Sequence, residues 1–313
     1  MYTIYSMPII GHEKIISFFD KVIAKSALSQ SYCFVGSDGV GKKTVARHLA
    51  AQALKINDKQ LDTHPDFYYI SRQIDEKTEK IKKDIGIAQV RQLKEKLGRK
   101  SWFGGYQVIV IDEAELLNEE SGNALLKSLE EAGTQRVFFL LTTDDNELLS
   151  TIRSRCQMFY FSLVDIKVIE DGLVKAGYGE AVAEASAKLS WGRPGRAVML
   201  ATDDGLRKNF NAEIERWQKI SGAPFYKKIK AVDDLFNEKT DNLRTSEKLS
   251  GALETWIVLW REKILDKMDN PQKNNGLSLL EMAGLIDNFK KAQILLAQNI
   301  NPRLIVEEIL LKV

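Results

Sequence analysis

Residues Gly36 to Thr44, GSDGVGKKT, carry glycines and lysines at a spacing suited to gripping a phosphate. They follow the apolar run Tyr32–Val35 and precede a helical stretch, Val45 to Lys55. A strand that breaks into glycines before a helix turns backbone N–H groups toward an anion. The helix dipole and a lysine then add positive charge. The pattern G-x-x-x-x-G-K-[ST] is met at Gly36, Gly41 and Lys42, with Gly39 inside the loop. It fails at its last position, where Lys43 replaces the hydroxyl that holds Mg²⁺. Thr44 comes one residue late, and one helical step turns it by about 100°. The stretch predicts a nucleotide pocket with damaged hydrolytic equipment.

A second chemical group closes the run Gln107–Ile111, QVIVI, which ends in Asp112-Glu113. Carboxylates at the carboxyl end of a buried parallel strand sit in the crevice where α/β sheets bind ligands. One acid can hold Mg²⁺ and the other can orient a water for attack on a γ-phosphate. The plainer reading is a solvated acidic strand end; the phosphate loop upstream favours the functional one. Cys33 and Cys156 lie far apart in sequence, so neither a zinc site nor a disulfide framework is expected.

The elements that must position these groups follow from periodicity. Ile9 to Ser26 and Ile85 to Leu97 read as amphipathic helices, and Asn118 can cap a helix running to about Ala132. Phe67–Ile70, Val137–Thr143 and Met158–Phe161 read as strands. Ser71 to Asp84 is polar without a core face, and is expected to be a solvated loop or hairpin. Strands and helices alternate, so the fold class expected is an α/β parallel sheet with helices on both faces. From Leu206 onward only helical periods occur. The domains expected are an α/β domain over residues 1–162, a small helical lid over 163–204 and an all-α domain over 205–313. Among 313 residues, 45 Lys and Arg against 43 Asp and Glu give no net basic surface. No apolar run reaches membrane length and the N-terminus lacks a signal-peptide pattern, so a cytoplasmic protein is expected.

Gly36–Lys42, Val108–Glu113, NALLKSLEE at Asn123–Glu131, TIRSRC at Thr151–Cys156 and GRPGRA at Gly192–Ala197 occur in that order. Together they resemble the AAA+ P-loop clamp-loader family of bacterial DNA polymerase III, and most of all its delta-prime branch. The resemblance implies that Lys42 faces the β- and γ-phosphates, Asp112 binds metal and Glu113 orients water. It matches Thr143, or Thr142 beside it, to the sensor of the γ-phosphate, and Arg196 to the lid arginine. For Arg196, packing of its aliphatic stem or helix capping is the plainer reading. Arg155 resembles the arginine finger that enters a neighbour's ATP site, the alternative being an ordinary surface arginine. The C-terminal helices would be the oligomerising collar.

Lys43, and the absence of cysteine from residues 52–84, separate this chain from the gamma/tau ATPases and from many zinc-bearing relatives. The function expected is a largely non-hydrolysing subunit of the polymerase III holoenzyme, assembled with delta and gamma/tau to load a sliding clamp on primed DNA. ATP and Mg²⁺ are possible ligands of its own pocket, with weak or no hydrolysis. The rivals are an active gamma/tau-type ATPase and a nucleotide-binding adaptor outside any clamp loader. Lys94, Lys96, Arg99 and Lys100 could contact DNA or form a solvated helix end.

Overall fold

The computed structural model describes residues 9–74, 81–130, 135–233, 236, 242–269, 278–297 and 301–312. Residues 75–80 of the polar segment, the end of NALLKSLEE and the break after Asp269 lie outside them. The chain divides into two compact units, 1–202 and 203–313.

Five parallel strands build the sheet of the first unit: β1 Ser31–Val35, β2 Phe67–Ile70, β3 Gln107–Ile111, β4 Arg136–Thr142 and β5 Gln157–Tyr160. Their order is β2-β3-β4-β1-β5. β-Branched and aromatic runs favour this pleated, two-sided burial. Successive side chains alternate between faces. Tyr32, Phe34, Val108, Val110, Phe139 and Leu141 pack with α1 (Glu13–Ala24) and α2 (Lys42–Leu54) on one side. Cys33, Val35, Ile109, Ile111, Phe138 and Leu140 pack with α3 (Ile87–Leu97) and α4 (Glu119–Glu130) on the other. Phe19 anchors α1, fully buried, with its ring 4.8 Å from that of Tyr32. The Asn118 cap is present: its Oδ1 accepts from Ser121 N at 2.9 Å.

Helix α1 begins four residues later than its periodicity suggests, because Gly11 and His12 adopt left-handed conformations that a helix cannot include. A one-turn helix α5 (Ser150–Arg153) then leads into β5, and three short helices follow it: α6 (Ile166–Lys175), α7 (Glu180–Ser190) and α8 (Pro194–Thr202). They enclose a small core of Ile169, Leu173, Ala183, Ala187, Ala197 and Val198, joined by Ile10.

The second unit holds α9 (Asp204–Ile220), α10 (Phe225–Val232), α11 (Asn242–Asp269), α12 (Leu279–Ala297) and α13 (Pro302–Lys312). Trp217, Trp256, Trp260 and Phe289 centre its own core. Among the described residues, no helix is long and apolar enough to cross a membrane.

Candidate functional site

Parallel strands all end on one edge, so the loops after β1, β3 and β4 converge there. The register places Val35 opposite Thr142 and Ile111 opposite Leu140. Gly36 continues β1 and has no room for a side chain: a Cβ would lie 2.6 Å from Phe161 O. Gly39 and Gly41 take φ of 75° and 110°, conformations that glycine adopts without strain. Lys42 opens α2 with 8% of its surface exposed. Its ammonium donates to Gly36 O and, at 3.3 Å, to Ser37 O. Burial lowers its pKa, and Asp38 is the main group opposing that shift.

Each position that the sequence suggests for hydrolysis carries a partner from this same chain. The Lys43 ammonium lies 3.4 Å from Asp112 Oδ2 and 4.6 Å from the centre of the Tyr69 ring. The Tyr69 hydroxyl donates to the same Asp112 oxygen at 2.5 Å. Burial first, and the Asp112 charge second, push the Tyr69 pKa up. Arg72 grips Glu113 with two bonds, Nε to Oε2 at 2.8 Å and Nη2 to Oε1 at 2.5 Å. That pairing raises the Arg72 pKa further. Thr143 donates to Glu115 Oε1 through both N, at 3.1 Å, and Oγ1, at 2.8 Å. Thr142 instead turns its hydroxyl to Asp144 O at 2.9 Å, inside its own turn.

Thr44 faces the other way. It lines a narrow cleft together with Ile9, Ile10, His12, Pro194, Gly195 and Val198, among others. A Mg²⁺ ion needs oxygen ligands at near-ideal octahedral geometry. An ammonium on Asp112 and a hydroxyl turned toward the lid do not supply it, so the residues present do not fit the metal. The glycine cradle and Lys42 do fit a phosphate. Among the described residues no group of three or more His, Cys, Asp or Glu is arranged for a metal ion.

The GRPGRA segment reaches the phosphate loop directly. Gly195 N and Arg196 N donate to Gly39 O at 2.7 and 3.4 Å. The Arg196 guanidinium stacks 4.4 Å from the centre of the Trp191 ring.

Arg155 occupies the opposite edge of the sheet. Its carbonyl accepts from Ser31 Oγ at 2.6 Å, at the start of β1. Gly36 lies one strand length away, roughly 15 Å. The Arg155 side chain is 35% exposed, and its guanidinium pairs with Glu130, Nε to Oε1 at 2.6 Å. It also donates to Thr151 O at 2.9 Å.

A family model described as DNA polymerase III, delta subunit, matches residues 11–165. The delta' subunit of Escherichia coli strain K12 is 35% identical over 146 residues, covering 46% of this chain and 42% of that protein. These matches support a clamp-loader family member close to the delta' subunits. The delta' subunit of Bacillus subtilis strain 168 is 28% identical over 80% of this chain and 76% of its own length. That of Pseudomonas aeruginosa is 34% identical over 41% of this chain and 42% of its own. The match thus spans less than half the length of two of these relatives. A gamma subunit-related protein of Thermotoga maritima shares its fold, with a TM-score of 0.53 at 17% identity over 94% of this chain and 97% of that one.

Tyr69, Arg72 and Glu115 carry no motif, and sequence reasoning missed them. Arg72 falls in the segment expected to be solvated. It follows β2 on the ligand-side edge, which delivers it to the end of β3 instead. For Glu115 the only signal was a third acid soon after Asp112-Glu113. Lys94, Lys96, Arg99 and Lys100 are exposed at the end of α3, an outcome both readings share.

Proposed function

We propose that this chain is a non-motor member of a polymerase III clamp loader, which lends Arg155 to an ATP held by a neighbouring subunit. The observation that carries the reading is the opposition between the two edges of the sheet. On one edge Asp112, Glu113 and Thr143 are engaged by Lys43, Arg72 and Glu115 respectively. On the other, Arg155 stands at the surface, held by an exposed ion pair and a carbonyl. A guanidinium in that position can reach across a subunit boundary and stabilise charge on a transferring phosphoryl group.

The partners in this reading are delta and gamma/tau subunits, with the sliding clamp and primed DNA reached through the assembly. The chain's own pocket keeps the means to hold a nucleotide and lacks those to hydrolyse it. The active-ATPase rival needs Thr44 on the metal side, whereas Thr44 lines the lid-side cleft.

The test is steady-state ATPase of the reconstituted complex in the presence of primed DNA. Arg155→Ala is expected to leave assembly intact and to slow the site it faces by ~10³-fold or more. Unchanged turnover would remove the finger role, and failure to co-purify with delta and gamma/tau would favour the free-standing adaptor.

A further inference from the structure

Lys43 does more than interrupt a motif. Its ammonium sits on Asp112, the carboxylate that a metal ion would need, and lies over the Tyr69 ring. With the Tyr69 hydroxyl on the same Asp112 oxygen, two donors converge on one of the two carboxylate oxygens that a metal ion could use. The phosphate cradle beside it is preserved. Gly36 has no space for a side chain, and the Lys42 ammonium rests on two loop carbonyls, positioned to exchange them for an anion. Lys43 adds a second cation in the first turn of α2, where the helix dipole already favours negative charge.

We propose that this pocket is a divalent-independent nucleotide site, in which the Lys43 ammonium takes the place of Mg²⁺ between Asp112 and the phosphates of a nucleoside triphosphate. The inference rests on the nucleotide pocket assigned above and goes beyond it by naming the form of ligand: the metal-free polyphosphate. An ammonium neutralises phosphate charge as a metal does. It cannot polarise a bound water or bridge two phosphate oxygens in fixed octahedral geometry, so it supports binding without chemistry. The Tyr69 ring and hydroxyl hold Lys43 and Asp112 in place and act as positioning groups.

The purified full chain is titrated calorimetrically with ATP, once in excess EDTA and once in excess MgCl₂. Binding no tighter in MgCl₂ than in EDTA is the expected result. Lys43→Thr, which restores a hydroxyl and removes the cation, is expected to bind ATP about tenfold more weakly in EDTA and to recover at least about tenfold on adding MgCl₂. Wild-type binding that tightens threefold or more with MgCl₂, by about 0.6 kcal/mol, overturns the proposal. So does absence of ATP binding in both buffers, or a Lys43→Thr variant that behaves as wild type. The first comparison needs no variant and stands even if Lys43→Thr fails to fold. None of these outcomes bears on the Arg155 role, which is read from turnover of the assembled complex.

Discussion

Arg155 and Glu130 form the pair on which the finger reading depends, and its physics is that of a surface ion pair. Glu130 Oε1 takes the Arg155 guanidinium while 52% of the Glu130 side chain and 35% of the Arg155 side chain stay exposed. Solvent screening leaves such a pair worth under about 1 kcal/mol. Glu130 therefore orients the guanidinium without committing it to the fold. Glu130→Ala is expected to change the stability of the chain by less than about 1 kcal/mol in urea denaturation. A loss above about 2 kcal/mol would mark the pair as structural and count against release of Arg155 to a neighbour. Arg72 and Glu113 are similarly half-exposed, but their two parallel bonds fix geometry as well as charge.

At the level of elements, helix α8 and the loop Gly36–Gly41 are joined through backbone. Gly39 O accepts from Gly195 N, and a Cβ added to Gly195 would stand 2.9 Å from that same oxygen. Glycine at 195 is thus a condition for the helix N-terminus to approach the loop. Gly195→Ala is expected to force the two apart at a cost of about 1–3 kcal/mol. Amide exchange at Gly195 and Arg196 should quicken while the β1 and β4 amides stay protected, as read by hydrogen–deuterium exchange. Unaltered exchange at those two amides would show that the loop and helix do not depend on the contact.

For the molecule as a whole, two compact units, each with its own buried apolar residues, imply two cooperative units. Trp256 is fully buried, with its ring 5.2 Å from that of Trp217. Trp256→Ala should cost about 3–5 kcal/mol, much of the stability of so small a unit. The expected outcome is an early thermal transition whose loss of amide protection is confined to residues 203–313, with the sheet of residues 1–202 intact. Simultaneous loss of protection in both units would mean that they unfold as one.

The sequence by itself determined the elements and their chemistry. The unbroken apolar runs of β1, β3 and β4 are local properties of the chain, and glycine spacing in Gly36–Thr44 is set by backbone sterics within nine residues. Lys43 was visible as a fault for the same reason. Only the tertiary structure decided what that fault does. Lys43 on Asp112, Arg72 on Glu113, Glu115 on Thr143 and Glu130 on Arg155 join residues distant in the chain or on separate elements. Each pairing depends on which strand ends lie side by side and on where long side chains reach once they do. Periodicity carries no record of that, because side-chain partners across a parallel sheet are chosen by strand order and register, which are properties of the folded chain.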